Sequence, residues 1–336
     1  MPTALDPAAV QSLRSSVTEL RGEVGRLVVG QDAVVEEVLI CLLAGGHGLL
    51  EGVPGLAKTL LVRSLAGGLD LRFRRIQFTP DLMPGDVTGT EIIEEDRTTG
   101  KRAFRFLPGP VFTNILLADE INRAPPKTQS ALLEAMQEGH VTAAGETRAV
   151  PSPFLVLATQ NPIEQEGTYP LPEAQLDRFL LKIRVPYPTP EEERDILQAT
   201  TGVEEEGIRA VMGADEVLAL RRATRQIPVS GPLFDYAVRL VRATRPGEPD
   251  AVGEVTDWLR WGAGPRAGQA LVVAGKARAL LHERLHLVPE DLRAVAPSVF
   301  RHRLLPTFRA EAEGLHADAL VRRLLDAVPP PASGLA

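Results

Sequence analysis

A glycine-rich turn between an apolar segment and a helical one carries the clearest chemical signal in the sequence. Residues 52–59 read GVPGLAKT. Glycines in such a turn let backbone N–H groups point at phosphate oxygens, and the following helix adds the positive end of its dipole. In this pattern Lys58 neutralises the β- and γ-phosphates, and the Thr59 hydroxyl binds Mg²⁺. Ala57 departs from the strict pattern, which has glycine before the lysine. The residues predicted to surround the phosphates are Gly52, Val53, Pro54, Gly55, Leu56, Ala57, Lys58, Thr59 and Leu60.

A pair of carboxylates follows another apolar segment. Residues 115–120 read ILLADE, so Asp119 and Glu120 come at the end of a predicted strand. There Asp119 could hold Mg²⁺ through water, and Glu120 could polarise a water molecule that attacks a phosphate. Acidic pairs after strands are also common surface features. A pair that comes after a phosphate-binding loop nevertheless favours phosphate hydrolysis.

Three further polar side chains fall where such a site needs them. Asn161 ends the next predicted strand, where an amide can orient water or contact the γ-phosphate. Arg178 precedes the last predicted strand, and Arg266 follows Gly264 and Pro265 at the start of a helix. Arginine is always charged and bidentate, which suits the charge of a phosphoryl transition state. Any single arginine is more often solvated or ion-paired. The prediction therefore depends on the order in which Asn161, Arg178 and Arg266 follow the phosphate-binding loop.

The elements that must position these residues alternate between short apolar runs and helical stretches. This pattern predicts an α/β fold with a parallel sheet that helices cover on both faces. Two helices, over 12–26 and 33–43, are predicted to come before the first strand. The predicted strands are Gly48–Leu50, Phe73–Phe78, Ile115–Ala118, Phe154–Ala158 and Leu180–Val185.

Two segments interrupt the alternation of strands and helices, and after residue 187 the predicted strands stop. Residues 82–112 predict an inserted hairpin, with strands at Val87–Ile93 and Ala103–Leu107, and residues 140–150 predict a second hairpin. The sequence Thr189-Pro190-Glu191-Glu192 is typical of a helix start. From there to Val328 the sequence predicts helices alone. We therefore expect a core over 1–187, a helical domain over 188–328 and a disordered tail over 329–336.

Composition limits the remaining possibilities. The chain of 336 residues has 37 basic and 44 acidic side chains, so its net charge of −7 argues against nonspecific binding to nucleic acid. The single cysteine, Cys41, excludes an intrachain disulfide and a metal site made of cysteines alone. The longest apolar run, Val38–Gly46, is too short for a membrane span, and the first residues do not look like a signal peptide. We expect a cytoplasmic protein.

The sequence resembles the AAA+ ATPases, and within them the MoxR family, from about Val28 to Arg323. The motifs that carry the resemblance are VGQ at 29–31, GVPGLAKT at 52–59, FTPDLMPGD at 78–86, ADEINRAPPKTQSALLEAMQE at 118–138, LATQNP at 157–162, LPEAQLDRF at 171–179, GPRA at 264–267 and RHR at 301–303. The resemblance implies an αβα P-loop core with a C-terminal all-helical lid.

The resemblance also implies roles for individual residues. Val29 and Gly30 would line an adenine pocket. Asn161 matches the sensor-1 position, and Arg266 matches the sensor-2 position, which reports the nucleotide to the lid. Arg178 matches the arginine finger, which acts on nucleotide bound by a neighbouring subunit. Alanine before the P-loop lysine is common in MoxR-type sequences.

The function implied is that of a chaperone-like ATPase that binds ATP and Mg²⁺ and assembles as a ring hexamer. Proteins of this family often act with von Willebrand factor A-domain proteins. Two other classes stay open: a nucleotide-gated binding module with slow hydrolysis, and a DNA-directed AAA+ machine. A magnesium-chelatase-like subunit, which shares the inserted hairpins, is the nearest relative to exclude.

A competing motif lies near the C-terminus. Residues 282–286 read HERLH, which fits the HExxH pattern of zinc proteases. In that pattern His282 and His286 share a metal on one helix face and Glu283 acts as base. Chance alone yields such a match in about one chain in a hundred of this composition, and the segment falls in a predicted lid helix. We therefore expect solvated lid residues here.

Overall fold

The computed structural model describes residues 7–95, 102–143, 145–162, 167–201 and 207–331, with only the backbone described for 7–14. The strands, in chain order, are β1 (Gly48–Glu51), β2 (Phe73–Gln77), β3 (Gly89–Glu95), β4 (Arg102–Pro108), β5 (Ile115–Asp119), β6 (His140–Ala143), β7 (Glu146–Ala149), β8 (Leu155–Gln160), β9 (Leu181–Arg184), β10 (Leu259–Trp261) and β11 (Leu305–Pro306).

The helices flank the strands and then dominate the second half of the chain. In chain order they are α1 (Pro7–Leu27), α2 (Asp32–Ala44), α3 (Lys58–Gly68), α4 (Pro84–Thr88), a 3₁₀ turn (Ile121–Arg123), α5 (Pro126–Glu138), α6 (Glu173–Leu176), α7 (Pro190–Thr201), α8 (Ala214–Gln226), α9 (Gly231–Arg242), α10 (Gly253–Thr256), α11 (Pro265–Leu281), α12 (Pro289–Phe300), α13 (Phe308–Ala312) and α14 (Ala317–Ala327). None of the helices within the described ranges is both long and apolar enough to cross a membrane.

The central element is a five-stranded sheet in the order β2-β5-β8-β1-β9, and all its pairings are parallel. The predicted α/β fold is confirmed, and each predicted sheet strand lies within a residue or two of the observed one. Successive side chains of a strand point to opposite faces. Accordingly Ile115 and Leu117 of β5 belong to one buried cluster, while Leu116 and Ala118 belong to another.

The helical second half packs onto one face of this sheet. Its buried residues, such as Leu271 of α11 and Leu292 of α12, form one continuous hydrophobic cluster with Leu42 of α2 and Ile183 of β9. The expectation of helices alone after residue 188 is wrong in one detail, because β10 and β11 pair there as a small antiparallel ladder. These strands span three and two residues, which is too short for a sequence period to reveal.

Both inserted hairpins are present. β3 pairs with β4 and β6 pairs with β7, each antiparallel. The first strand begins later than predicted, because Val87 belongs to α4, where Pro84 starts the helix and Asp86 accepts a hydrogen bond from the Met83 N–H at 2.8 Å. Residues 96–101, between the strands of the first hairpin, and Ala144, between those of the second, lie outside the described residues.

The predicted helix start after Tyr187 is confirmed by its hydrogen bonds. The Thr189 N–H donates to Glu192 at 2.7 Å, and the Glu192 N–H donates to the Thr189 hydroxyl at 3.3 Å, which forms a capping box. Within the predicted tail, Pro329 accepts a hydrogen bond from Arg239, and residues 332–336 lie outside the described ranges.

Candidate functional site

A cavity of about 350 Å³ lies at the carboxyl ends of β1, β5 and β8. Parallel strands bring their carboxyl ends to one edge of a sheet, so loops that are distant in sequence meet there. The residues that line this cavity are Pro54, Gly55, Leu56, Ala57, Lys58, Thr59, Arg75, Gln77, Asp119, Glu120, Thr159, Gln160 and Asn161. The structure therefore brings the predicted loop, the acidic pair and Asn161 together.

The loop has the backbone geometry of a phosphate cradle. Gly55 and Ala57 both have positive φ angles, +89° and +51°. The left-handed conformation costs a non-glycine residue about 1 kcal/mol, which is why the strict motif has glycine at the position of Ala57. The N–H of Leu61 donates to the Ala57 carbonyl at 2.9 Å. The N–H groups just before Leu61 precede this first helical bond, so they are open to an anion at the start of α3.

Lys58 folds back over its own loop. Its Nζ donates to the carbonyls of Gly52 at 2.6 Å and Val53 at 2.9 Å. Partial burial lowers the pKa of Lys58, and the nearby carboxylates of Asp119 and Glu120 act in the opposite direction. Because the ammonium group lines the cavity beside two carboxylates, it can neutralise phosphate charge there after exchanging its carbonyl partners.

Asp119 is held by two side chains from neighbouring strands. Its Oδ2 accepts from Arg75 Nε at 2.5 Å, and its Oδ1 accepts from the Thr159 hydroxyl at 3.1 Å. Asp119 is buried, whereas the Arg75 side chain is about half exposed. The carboxylate is thus fixed in orientation, and one of its partners comes from the solvent side of the cavity.

Glu120 has a left-handed backbone, with φ of +53°. Its N–H donates to the Thr159 hydroxyl at 2.8 Å, and its carboxylate accepts from Arg123 at 3.1 Å. A non-glycine residue in this conformation is strained, and such strain clusters at functional sites. The turn directs Glu120 into the cavity while Asp119 stays in the strand.

Asn161 follows β8 and is buried at the cavity wall. It stands beside the acidic pair across the pairing of β5 with β8, in which Ala118 lies opposite Ala158. This position agrees with the sequence-based expectation of an amide near the reacting phosphate.

The predicted adenine residues lie next to the loop but do not line this cavity. Gly30 has a φ of +73°, so another residue would be strained there, and its Cβ would come within 2.4 Å of the Glu192 side chain, which would have to move. Gln31 Nε2 donates to the Leu56 carbonyl at 3.0 Å, which links the segment of Val29 and Gly30 to the loop. Leu60 is exposed on α3 and also lies outside the cavity lining.

Arg178 and Arg266 line a different cavity, of about 560 Å³. Arg178 donates to the Leu133 carbonyl at 3.1 Å, and Arg266 lies 3.6 Å from the carboxylate of Asp177. Neither is among the residues that surround the glycine-rich loop. The two predicted phosphate arginines are therefore together, but they are separated from the chain's own phosphate cradle.

The residues present fit a nucleoside triphosphate with Mg²⁺. The loop offers backbone N–H groups and Lys58, and the hard oxygens of Thr59 and Asp119 line the same cavity. Hydroxyl and carboxylate oxygens, together with phosphate oxygens and water, are the ligands Mg²⁺ prefers. A triphosphate and its metal ion would thus meet suitable groups without rearrangement of the strands.

Sequence reasoning missed Arg75 and Thr159, although both contact Asp119. An arginine within the strand run FRRIQ is a weak signal that the cavity is polar on that side. Thr159 looked like one more strand residue in LATQNP. Their roles depend on the lateral order of β2, β5 and β8, which the sequence does not display.

The HERLH segment does not form the helix that the zinc-protease pattern requires. α11 ends at Leu281, and residues 282–286 form a turn in which Glu283 has a φ of +60°. His282 lies 3.1 Å from Glu36 of α2. The expectation of a lid helix at this position is wrong, and the turn removes the i, i+4 geometry that would bring His282 and His286 together. Within the described ranges, no three His, Cys, Asp or Glu residues are placed to hold a metal ion.

Comparison with known proteins identifies the class of protein to which the chain belongs. Residues 47–181 match the ATPase family associated with various cellular activities (AAA), and residues 255–324 match the AAA lid domain. A crystal structure of a Cytophaga hutchinsonii protein superposes with a TM-score of 0.87 at 42% identity, covering 96% of this chain and 97% of that one. The fold is that of an AAA ATPase with its lid domain.

The relatives narrow this to one family. The chain is 47% identical to Chaperone MoxR1 of Mycobacterium tuberculosis, over 96% of this chain and 85% of that protein. It is 33% identical to Protein MoxR of Methylorubrum extorquens, over 96% and 98%. The chain belongs to the MoxR family of AAA ATPases.

Proposed function

We propose that this protein hydrolyses ATP to ADP and phosphate and uses the cycle to remodel or activate a partner protein. One observation carries the proposal. Lys58, Thr59, Asp119, Glu120 and Asn161 come from three separate segments and line one cavity at the carboxyl edge of the sheet. Phosphoryl transfer needs positioning and charge stabilisation more than covalent chemistry, and these groups supply both.

The reaction is an in-line displacement. A water oxygen bonds to the γ-phosphorus as the bond from that phosphorus to the β,γ-bridging oxygen breaks, and the electron pair leaves with ADP. Glu120 accepts the proton of the attacking water, and Asn161 orients that water. Lys58 and the loop N–H groups stabilise the charge on the phosphates. The Thr59 hydroxyl and, through water, the Asp119 carboxylate would hold Mg²⁺, and the bound ion would supply further neutralisation of phosphate charge.

Arg178 and Arg266 act on the nucleotide of a neighbouring subunit. They line a cavity that does not include the chain's own loop, which supports a role on a triphosphate that a second copy brings to them. For Arg266 this proposal is an alternative to the role that the family resemblance implies, which is to report the chain's own nucleotide to the lid. Arginine supplied in trans stabilises the transition state strongly, so assembly and hydrolysis are coupled. A ring hexamer fits this arrangement.

The partner is a protein, and the role that we propose for the ATPase is chaperone-like. The support is that the relative with 47% identity is named a chaperone. A von Willebrand factor A-domain protein is the partner we propose, on the family resemblance given above. The cytoplasm, where ATP is available, is the compartment we propose for this cycle.

The test is the substitution Glu120→Gln. The amide keeps the size and the Arg123 contact but cannot accept the water proton. We expect ATP binding within about twofold of wild type and kcat lowered about 100-fold or more. Fluorescent-nucleotide titration and phosphate release measure the two quantities. Glu254→Gln, an exposed change on α10, is the control and keeps normal turnover. Wild-type turnover in Glu120→Gln would remove Glu120 from the mechanism.

A further inference from the structure

The segment that carries Arg178 is held by the lid. Residues 177–180 lie between α6, which has only four residues, and β9. Two neighbouring lid residues, His302 and Arg303, contact this segment directly. Both belong to the RHR sequence that follows α12, and neither contacts the phosphate cavity.

All three guanidinium nitrogens of Arg303 donate hydrogen bonds. The side chain is almost fully buried, with 5% of its surface exposed. Nε donates to the Asp177 carboxylate at 2.7 Å. Nη2 donates to the Phe179 carbonyl at 2.8 Å, and Nη1 donates to the Leu180 carbonyl at 3.1 Å. Nη1 also donates to the Val299 carbonyl of α12 at 2.6 Å, which ties the fork to its own helix.

These bonds bracket Arg178 on both sides. Asp177 precedes it and Phe179 follows it, and both are bound by the same guanidinium. His302 Nε2 donates to the Phe179 carbonyl as well, at 3.1 Å. The backbone of Arg178 can therefore shift only if the lid moves with it or if buried donors lose their partners, which is costly.

The same contact joins the two arginines of the second cavity. Asp177 lies 3.6 Å from Arg266, so one carboxylate is shared by Arg303 and Arg266. Arg178, Arg266 and Arg303 all line that cavity. The guanidinium of Arg303 is nevertheless committed to backbone carbonyls and Asp177, so Arg178 and Arg266 are the more exposed pair.

We propose that Arg303 is a positioning residue that sets the place of Arg178 for catalysis on the neighbouring subunit, and that it thereby couples the lid to the neighbour's site. This inference rests on the proposed function. Lysine cannot reproduce it, because its ammonium is a point charge that cannot bond one carboxylate and two carbonyls in a planar fork.

The test uses Arg303→Lys in full-length protein. Misplacement of a catalytic group by about 1 Å costs on the order of 100-fold in rate. We expect kcat to fall by about that factor while ATP binding stays within about twofold, since the chain's own loop is untouched. The matched control is Arg284→Lys, which also replaces a lid arginine bonded to an aspartate, Asp291, but does not contact residues 177–180. The control keeps normal turnover.

Mixing experiments separate positioning from a general loss of structure. Lys58→Ala chains have a defective loop and an intact Arg178, and Arg178→Ala chains have the reverse. We expect Arg303→Lys to regain turnover when mixed with Lys58→Ala but not when mixed with Arg178→Ala. Rescue by Arg178→Ala, rescue by neither, or wild-type turnover of Arg303→Lys alone would each overturn the inference.

Two further readouts keep the outcome clear. If Arg303→Lys does not fold, as judged by thermal unfolding, Asp177→Asn takes its place with the same expected mixing pattern. If Lys58→Ala and Arg178→Ala fail to rescue each other, the trans arrangement of the proposed function fails, and the role of Arg303 fails with it. If they rescue each other but Arg303→Lys behaves otherwise, the role of Arg303 alone is wrong.

Discussion

At the scale of single residues, one hydroxyl organises the acidic pair. Thr159 donates to the carboxylate of Asp119 and accepts the N–H of Glu120, and it is almost fully buried. In the proposed mechanism the two carboxylates need different positions, one near a metal ion and one near the attacking water. Thr159 fixes that difference, because it bonds the side chain of one and the backbone of the other.

Thr159→Val should therefore impair chemistry rather than binding. Valine has a similar shape but leaves the buried N–H of Glu120 without this acceptor, which costs about 1–3 kcal/mol. We expect kcat to fall about tenfold, since about 1.4 kcal/mol corresponds to that factor, with KM for ATP nearly unchanged. Steady-state phosphate release measures both. Thr200→Val, an exposed change on α7, is the control. An unchanged kcat would mean that Thr159 has no part in placing the pair.

The sequence predicted candidate site residues that lie on one loop or at the end of one strand. It missed residues that reach the site across a pairing between strands. Lys58 and Thr59 follow one loop, and the acidic pair follows one strand, so spacing along the chain reveals them. Arg75 and Thr159 act across strand pairings, Gln77 with Asp119 and Ala118 with Ala158, which exist only once the sheet forms.

At the scale of elements, the sheet and its helices are joined by a buried imidazole. His47 precedes β1; its Nε2 donates to the Met136 carbonyl of α5 and its Nδ1 accepts the Val156 N–H of β8, each at 3.0 Å. Burial lowers the pKa of His47 from 6.5 to about 4, with the Met136 contact opposing and Arg221 adding to the shift. The neutral ring thus connects the strand before Asn161 to the helix after Glu120.

The depressed pKa of His47 predicts a pH dependence of stability. The unfolded chain binds a proton below about pH 6.5, whereas the folded chain resists it until about pH 4. The contribution is therefore complete above pH 6.5 and is lost as the pH falls toward 4, for a total of roughly 3 kcal/mol. We expect His47→Gln, which keeps a donor and an acceptor, to lose less unfolding free energy between pH 7 and 4.5 than wild type. Urea unfolding at several pH values measures this, and parallel curves would contradict it.

The elements themselves were largely predictable, because buried parallel strands and amphipathic helices leave strong patterns. The sheet strands and both hairpins follow from those patterns. The order β2-β5-β8-β1-β9 does not, since it depends on long-range packing. The start of α4, the short β10–β11 ladder and the turn at 282–286 were missed because each depends on local capping or on tertiary contacts.

At the scale of the whole molecule, the residues to which we assign catalytic roles are divided between two cavities. The loop, the acidic pair and Asn161 line one, and Arg178 and Arg266 line the other. In the proposed function, a single chain therefore supplies part of its own site and part of its neighbour's site. The lid shares one hydrophobic cluster with the core, and Arg303 binds the lid to the segment that carries Arg178. This division is the physical reason to expect that ATP turnover requires assembly.

The most direct test is the ATPase rate of an equimolar mixture of Lys58→Ala and Arg178→Ala chains. Each variant alone should be nearly inactive, because one lacks the phosphate lysine and the other lacks the arginine for its neighbour. In the mixture, intact loops from one variant meet intact arginines from the other, so we expect turnover well above the sum of the separate rates. A mixture no more active than its components, or normal turnover by Arg178→Ala alone, would contradict a site completed by the neighbouring subunit.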